Sequence, residues 1–204
     1  MSVYLSIKMR TRDKKKYNAI VKASIRLINK LDFSGISMAK IAKEAKVSPA
    51  TIYIYFENKE DLFTKIYIDI RKKMGQAAMN GLEHNKSIEE QFKSIWHNYL
   101  TYALAHINFI IYRENFEQTS MMKKIQQNDF ELFNYITDII QRGIKEQCIK
   151  NLPLTLLTSF AFMPIITLLK FHFEGRINID DKFINQASNL AWNVVKSDKN
   201  EGRP

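Results

Sequence analysis

Cysteine, glycine and proline are scarce in this sequence, with one, six and four among 204 residues. The single cysteine, Cys148, excludes an internal disulfide framework and a CxxC metal site, and it suits a reducing compartment. The sequence has no Gly-rich phosphate loop and no GxSxG or HExxH segment, which argues against the common nucleotide-binding and hydrolytic enzymes. The shortage of glycine and proline favours long helices over a turn-rich β fold.

Positive charge is concentrated at the N-terminal end. Residues 1–60 contain 13 Lys or Arg and five Asp or Glu, whereas residues 61–204 contain 18 and 16. A basic segment joined to a nearly neutral remainder indicates that one end of the protein meets a polyanion. The run Lys14, Lys15 and Lys16 fits two descriptions, the solvated start of a helix or a flexible arm that contacts phosphates.

One uncharged stretch, residues 152–169, just reaches the lower length limit of a membrane-spanning helix. Pro153, Pro164 and four Ser or Thr residues interrupt it, and a helix buried on all sides has the same composition. Pro164 is expected to kink or split this helix. The N-terminus has no continuous apolar region of the kind found in signal peptides. We therefore predict a cytoplasmic protein without membrane attachment.

Apolar residues recur at helical spacing along almost the whole chain, which predicts an all-α protein of about nine helices. Ser37 and Ser48 are expected to cap the second and third helices, and Asn58 the long fourth one. Ser87 and Glu90 have the spacing of a capping box at the start of the fifth. Four further helices are predicted over residues 107–117, 133–144, 154–173 and 180–196.

The most informative segment is residues 37–63, SMAKIAKEAKVSPATIYIYFENKEDLF. A short helix, a brief turn and a second short helix are typical of a helix-turn-helix. Val47, Ile52 and Phe56 are expected to anchor the second helix, which leaves an outward face that is small at its N-terminal end and suited to base edges. Lys59 and the tyrosine hydroxyls suit phosphate oxygens. The outward face consists of Pro49, Ala50, Tyr53 and Ile54, flanked by Thr51 and Tyr55.

The run IAKEAKVSPATIYIYFENKEDLF resembles the N-terminal signature of the TetR family of bacterial regulators. That signature reads I-A-x-x-A-x-V-S, then T-[I/L]-Y-x-[Y/H]-F-x-[N/S]-K-[E/D]-x-L. The signature often has Gly at one position of the turn, where this sequence has Lys46. If Lys46 adopts the left-handed conformation, the lysine side chain costs on the order of 1 kcal/mol relative to glycine. The substitution would also bring one more positive charge near DNA. The matching residues are Ile41, Ala42, Ala45, Val47, Ser48, Thr51, Ile52, Tyr53, Tyr55, Phe56, Lys59, Glu60 and Leu62.

The resemblance implies a fold and a function. Residues 10–57 would form a three-helix, helix-turn-helix DNA-binding domain, residues 58–82 a connecting helix, and residues 83–197 a larger helical bundle for effector binding and dimerisation. Such a protein is a transcriptional regulator of double-stranded DNA, most often a repressor. By the same resemblance, the positions that touch operator DNA are Ser37, Ser48, Pro49, Ala50, Thr51, Tyr53, Tyr55 and Lys59, with Lys46 as an added contact.

The C-terminal part is rich in aromatic residues, which suit a hydrophobic ligand, although packing in a core explains them equally well. TetR-like proteins bind a small molecule in this region, so we expect a small hydrophobic effector that releases the protein from DNA. Polar partners for it would be His97, His106, Glu114 and Glu117. The candidate lining residues are Trp96, Tyr99, Tyr102, Phe109, Tyr112, Phe116, Phe160, Phe162 and Met163.

The last two long helices resemble the dimer interface of the family. The physical argument is similar, because a helix that is apolar all round must be covered on both sides. Two-fold symmetry would hold two recognition helices about 34–36 Å apart, over successive major grooves of a palindromic operator. The effector would favour a state in which this spacing is different.

Three alternatives remain at this point. An enzyme would need a catalytic constellation, and we predict no catalytic residue and no cofactor. A DNA-binding protein controlled by a protein partner would have a filled bundle core, and a membrane-attached protein would need detergent for solubility. No metal is predicted, because the four histidines lack tight metal-ligand spacing: His84, His97, His106 and His172.

Overall fold

The computed structural model describes residues 2–31, 33–125 and 131–197, with side chains from residue 14 onward apart from those of 131–133. Over these residues the regular structure is helical, and the β structure consists of an isolated antiparallel bridge between Ile149 and Lys196. A 3₁₀ helix covers Ser120–Lys124. The α-helices are α1 Ser2–Leu31, α2 Met38–Ala45, α3 Pro49–Tyr53, α4 Lys59–Ala78, α5 Ile88–Ala105, α6 Ile107–Glu117, α7 Glu131–Lys145, α8 Leu154–Phe162, α9 Pro164–Phe173 and α10 Asp181–Val195.

The all-α prediction is confirmed. The described residues contain ten α-helical segments rather than about nine, because the helix predicted over 154–173 is divided into α8 and α9. The division falls at Pro164, as predicted: proline has no N–H to donate to the carbonyl of Phe160. α6 begins and ends at the predicted residues.

Local capping signals set the starts of α4 and α5. Ser87 and Glu90 form the predicted capping box, in which each side chain bonds the other's backbone N–H. At α4, the Oδ1 of Asn58 accepts from the backbone N–H of Asp61 at 2.9 Å, so Asn58 is the cap. In a capping box the Asp61 carboxylate would accept from the backbone N–H of the cap residue, Asn58. It accepts instead from the N–H of Glu57 at 2.9 Å, so the box is not formed.

The contacts divide the chain into two compact units. The first unit comprises Met1–Arg71 and Ile107–Asp129, and the second comprises Lys72–His106 and Phe130–Pro204. The first unit therefore contains α1, α2, α3 and α6 together with the first part of α4. The domain limits predicted from the sequence stay a prediction.

An aromatic cluster of Phe33, Phe63, Tyr112 and Phe116 lies in the core of the first unit. The ring of Phe33 is edge-on to the other three, with centroid distances of 5.0, 5.5 and 5.8 Å. The Tyr112 hydroxyl donates to the backbone carbonyl of Phe63 at 2.9 Å. Edge-to-face pairs of this kind stabilise a core beyond their area burial. α6, distant in sequence, thus completes the core under the N-terminal helices.

The core of the second unit is built around α5. The ring of Phe92 lies 5.4 Å from Phe162 of α8 and 5.5 Å from Trp192 of α10. The indole N–H of Trp96 donates to the carbonyl of Ala161 at 2.9 Å, so its one polar atom is satisfied although the residue is buried. These contacts join α5, α8 and α10.

An exposed apolar face lies on α8 and α10 and consists of Leu156, Phe160, Met163, Leu190 and Val194. Phe160, Met163 and Leu190 are 63%, 59% and 67% exposed. Large apolar side chains left exposed together on one surface mark an interaction site.

The stretch Leu154–Phe173 is the one helical stretch among the described residues that is long and apolar enough to cross a bilayer. By itself this is weak evidence of a span, because helices of soluble proteins pass the same test. The absence of membrane attachment stays a prediction.

Candidate nucleic-acid interface

The helix-turn-helix is built from two capped helices, α2 and α3. Ser37 caps α2, with its Oγ accepting from the N–H of Lys40 at 3.2 Å. Ser48 caps α3 in the same way, accepting from the N–H of Thr51 at 3.2 Å, and Pro49 occupies the first helical position. Both predicted caps are confirmed. Each cap satisfies a backbone donor that a short helix would otherwise leave free.

The turn between the two helices passes through Lys46 in the left-handed conformation, with φ 56° and ψ 42°. Its backbone N–H bonds the carbonyls at the end of α2, and the N–H of Val47 bonds the carbonyl of Ala42 at 3.0 Å. The left-handed geometry expected for this position is therefore present, and lysine there costs about 1 kcal/mol relative to glycine. The Lys46 side chain is exposed.

α3 separates a buried side from an exposed one. Ile52 and Phe56 are 0% and 1% exposed, as expected for the anchors, whereas Val47, which was expected to be buried with them, is half-buried. Tyr53 and Ile54 are 55% and 77% exposed. The remaining predicted contact residues are distributed as follows: Ser48, Pro49 and Ala50 are exposed, and Thr51 and Tyr55 are half-buried.

Tyr55 is held against α1 by a residue that the sequence reasoning missed. The ring of Tyr17 lies edge-on to Tyr55 at 5.9 Å and stacks on Phe56 at 5.4 Å. Burial raises the pKa of Tyr17, so its hydroxyl stays protonated. No local motif in α1 marks this tyrosine, because its partners are almost 40 residues further along the chain.

Lys59, at the first position of α4, has partners inside the protein. Its Nζ donates to the carbonyls of Phe33 at 3.3 Å and Ile36 at 3.1 Å, and it lies 5.9 Å from the ring centroid of Phe63. An ammonium group has three donors, so one N–H is left beyond these two bonds. Lys59 thus ties the turn after α1 to α4 and keeps a donor for an outside acceptor.

The first unit also carries exposed basic side chains. The run 14–16 on α1 is exposed, as are Lys43 and Lys46. Arg26 pairs with Glu44, with an Nη1 to Oε1 distance of 3.5 Å. A cluster of cations around a helix-turn-helix suits a phosphate backbone.

The predicted ligand residues are divided between the two units. In the second unit, Trp96 and Phe160 line a groove of about 320 Å³, together with Leu168, Leu190 and Val194. The other members in this unit are placed as follows: Met163 is exposed, Phe162 packs on Phe92, Tyr99 is half-buried, and Tyr102 is half-buried and stacks on His106 with ring centroids 4.0 Å apart.

The other three, Phe109, Tyr112 and Phe116, lie on α6 in the first unit. Tyr112 and Phe116 are fully buried in the aromatic cluster, and Phe109 is half-buried. Burial raises the pKa of Tyr112, which keeps its hydroxyl protonated as a donor to Phe63.

A partly buried charge network on α4 and α6 was not foreseen. The Oε1 of Glu117 accepts from the Tyr67 hydroxyl at 2.9 Å and lies 3.7 Å from Arg71 Nη1 and 3.5 Å from Arg113 Nε. Arg113, which is 5% exposed, also pairs with Glu114. Burial, more than the Glu117 carboxylate, raises the pKa of Tyr67. Both acidic residues predicted as polar partners of the effector are thus paired with arginine.

Potential metal ligands are not clustered in the part of the chain that the structure describes: no three of His, Cys, Asp and Glu are grouped so as to hold an ion. Cys148 forms no disulfide and is half-buried, and burial raises the pKa of its thiol.

Two family models match this chain over most of its length. Residues 20–66 match the bacterial regulatory proteins of the tetR family, and residues 87–196 match the tetracyclin repressor-like C-terminal domain. Together they include the helix-turn-helix and α5 to α10.

Individual proteins resemble it over most of their length as well. The HTH-type transcriptional regulator YhgD of Bacillus subtilis is 30% identical over 165 residues, which cover 79% of this chain and 85% of that protein. The HTH-type transcriptional repressor NicS of Pseudomonas putida is 26% identical over 198 residues, or 93% and 86% of the two chains. A crystal structure of a TetR family transcription regulator from Marinobacter aquaeolei superposes with a TM-score of 0.87 at 30% identity, covering 93% of this chain and all of that one. The chain thus belongs to the TetR family and is a DNA-binding, helix-turn-helix regulator of transcription.

Proposed function

We propose that this regulator is a cytoplasmic, homodimeric repressor that binds a palindromic operator through α3 of each subunit and leaves DNA when a small hydrophobic effector binds. The observation that carries the proposal is the exposed side of α3. Tyr53 and Ile54, at the end of α3, are exposed, whereas Ile52 of the helix and Phe56 just after it are fully buried. A rigid support under an exposed helix is what insertion into a major groove requires.

The operator contacts are divided by chemistry. Pro49, Ala50 and Tyr53 on α3, together with Ile54 directly after it, would face base edges, since a recognition helix lies in the major groove with its N-terminal part closest to them. Phosphate oxygens would be bound by hydroxyl and ammonium donors. The residues assigned to phosphates are Ser37, Lys46, Ser48, Thr51, Tyr55 and Lys59.

The exposed apolar face supports the dimer. A monomer rarely leaves side chains such as Phe160 and Leu190 about two thirds exposed on one surface. In an isologous dimer, the same face of a second copy would cover them. We assign the interface to α8, α9 and α10, which also explains why Leu154–Phe173 is apolar without a membrane.

We also place the effector in the second unit, where an apolar groove shares Phe160, Leu190 and Val194 with the face assigned to the dimer, so the partner subunit would form part of its wall. Its volume of about 320 Å³ is at the lower end of the range for small-molecule sites. Its lining is apolar, with Trp96 and Phe160 from the predicted set. The support does not extend to Tyr112 and Phe116, whose rings are already covered inside the first unit.

The proposal is tested by replacing Tyr53 with alanine. We expect operator affinity to fall about tenfold, because the loss of one good contact costs about 1–3 kcal/mol, while stability is unchanged because the side chain is 55% exposed. Fluorescence anisotropy on duplexes from upstream of the protein's own gene measures the affinity. Tyr135→Ala, which removes a 45% exposed ring from α7, is the matched control and should bind normally. Absence of binding to any duplex at low salt would refute the proposal.

Lys59→Ala should change both stability and salt dependence. Loss of the bonds to the carbonyls of Phe33 and Ile36 is expected to cost about 1–2 kcal/mol of unfolding free energy. Loss of a phosphate contact should lower the slope of log K against log salt by about one. Urea unfolding and a salt series of anisotropy titrations measure the two effects. Lys72→Ala, an exposed lysine on the same helix, should show neither. A stability loss with an unchanged slope would limit Lys59 to a structural role.

A further inference from the structure

We infer that this protein selects its operator mainly through the methyl groups of thymine, which Ala50 of α3 and Ile54, directly after it, contact. The inference rests on the proposed function of α3. It adds the chemistry by which that helix distinguishes one sequence from another: the preferred half-sites carry thymines at the positions that face these two side chains.

The outward face of α3 has few groups that can form hydrogen bonds with bases. It presents Pro49, Ala50 and Ile54, which are apolar, and the phenol of Tyr53. Ile54 is 77% exposed. The bidentate pairs that identify guanine and adenine need a guanidinium, ammonium or amide group, and no residue of this face has one. The thymine C5-methyl is the apolar group that the major groove offers.

The hydroxyls at the start of α3 are partly used within the helix. The Oγ of Ser48 accepts from the N–H of Thr51 at 3.2 Å and lies 2.9 Å from the Oγ1 of Thr51. Two hydroxyls have two O–H donors, and this second contact uses one of them. One of these two donors is left for a base, and the Tyr53 hydroxyl is the other donor of this face, so the face offers bases few hydrogen-bonding groups beside its apolar side chains.

The cations near α3 are placed outside this face. Lys46 lies in the turn that precedes the helix. The ammonium of Lys59 donates to two backbone carbonyls of the segment after α1. Both positions favour phosphate contacts, which add affinity without reading sequence. Discrimination between sequences is therefore left to the apolar face.

The experiment begins with selection of bound duplexes from a random pool by the full-length protein. Each thymine of the selected operator is then replaced by deoxyuracil, which removes the C5-methyl and keeps every hydrogen-bonding group. We expect affinity to fall about fourfold at each contacted position, the equivalent of about 0.8 kcal/mol for one buried methyl. Replacing the same thymines with cytosine should weaken binding further, and 5-methylcytosine should recover part of that loss.

Protein variants identify the residues responsible. In Ile54→Ala and in Ala50→Ser, the deoxyuracil effect should shrink to less than about twofold at the thymines these residues contact, since the apolar partner is gone. Leu31→Ala, which truncates a 46% exposed side chain on α1, is the control and should keep the full effect.

The possible results distinguish failure of this inference from failure of the proposed function. Failure to select any sequence would overturn the proposed function together with the inference. A selected operator whose affinity is the same with deoxyuracil at every position would overturn the inference alone. A full deoxyuracil effect that persists in both variants would overturn the assignment to Ala50 and Ile54.

Discussion

Replacing Phe160 and Leu190 by aspartate is expected to turn the proposed dimer into a monomer and to weaken operator binding by roughly 100-fold or more. Both side chains are about two thirds exposed in the single chain, so the substitutions leave its core intact. In a dimer they would place four carboxylates in one apolar interface, where the desolvation cost is prohibitive. A monomer would bind a single half-site and would lose the affinity that simultaneous binding of the second half-site adds. Sedimentation velocity measures the mass, and anisotropy measures the affinity.

The control for this experiment is Tyr135→Asp, which introduces the same charge at a 45% exposed ring on α7, outside the proposed interface. It should remain dimeric and bind normally. A Phe160→Asp/Leu190→Asp protein that sediments as a dimer with unchanged affinity would remove α8 and α10 from the interface. Circular dichroism of both variants should match that of the parent protein, because neither change touches a buried residue.

Glu117→Ala should be strongly destabilising, by about 3 kcal/mol, the lower end of the range for breaking a buried ion pair. The carboxylate compensates Arg113, which is 5% exposed, and accepts from the Tyr67 hydroxyl at 2.9 Å. Its removal leaves Arg71 and Arg113 with less opposing charge in a region that water reaches poorly. The side chain of Glu117 is itself 31% exposed, which places the cost at the lower end. Urea unfolding followed by circular dichroism measures it.

Two variants locate the cause of this loss. Glu114→Ala removes a carboxylate that pairs with the same arginine but is 39% exposed, and we expect a cost of about 1 kcal/mol or less. Arg113→Met in the Glu117→Ala background removes the buried cation that Glu117 had opposed and should recover much of the stability. Equal costs for Glu114→Ala and Glu117→Ala would show that Glu117 has no special role.

Features encoded by neighbouring residues were predictable from the sequence. The caps Ser37 and Ser48 and the box of Ser87 and Glu90 act over three residues, and all three are present in the structure. The break at Pro164 follows from the missing N–H of that one residue. The exposed and buried sides of α3 follow from helical periodicity combined with a specific family signature.

Features that depend on distant contacts were not predictable. The carbonyl partners of Lys59 lie 23 and 26 residues away, and Tyr67 and Glu117 are 50 residues apart. Aromatic residues suggested a ligand pocket, yet composition alone does not separate a packed core from a cavity. Tyr112 and Phe116 have the residue types of a binding site, and in the structure their neighbours are other rings of the first unit.

The place of α6 in the first unit has a consequence for protein engineering. A chimaera that joins the DNA-binding helices of one regulator to the sensor of another has to divide the chain at some point. Here a segment cut after α4 would carry Phe33 and Phe63 without Tyr112 and Phe116, which cover them. It would also lack the α6 carbonyl of Asn108, to which the Asn29 amide donates. A functional chimaera of this protein therefore has to take α6 from the same parent as the helices that read DNA.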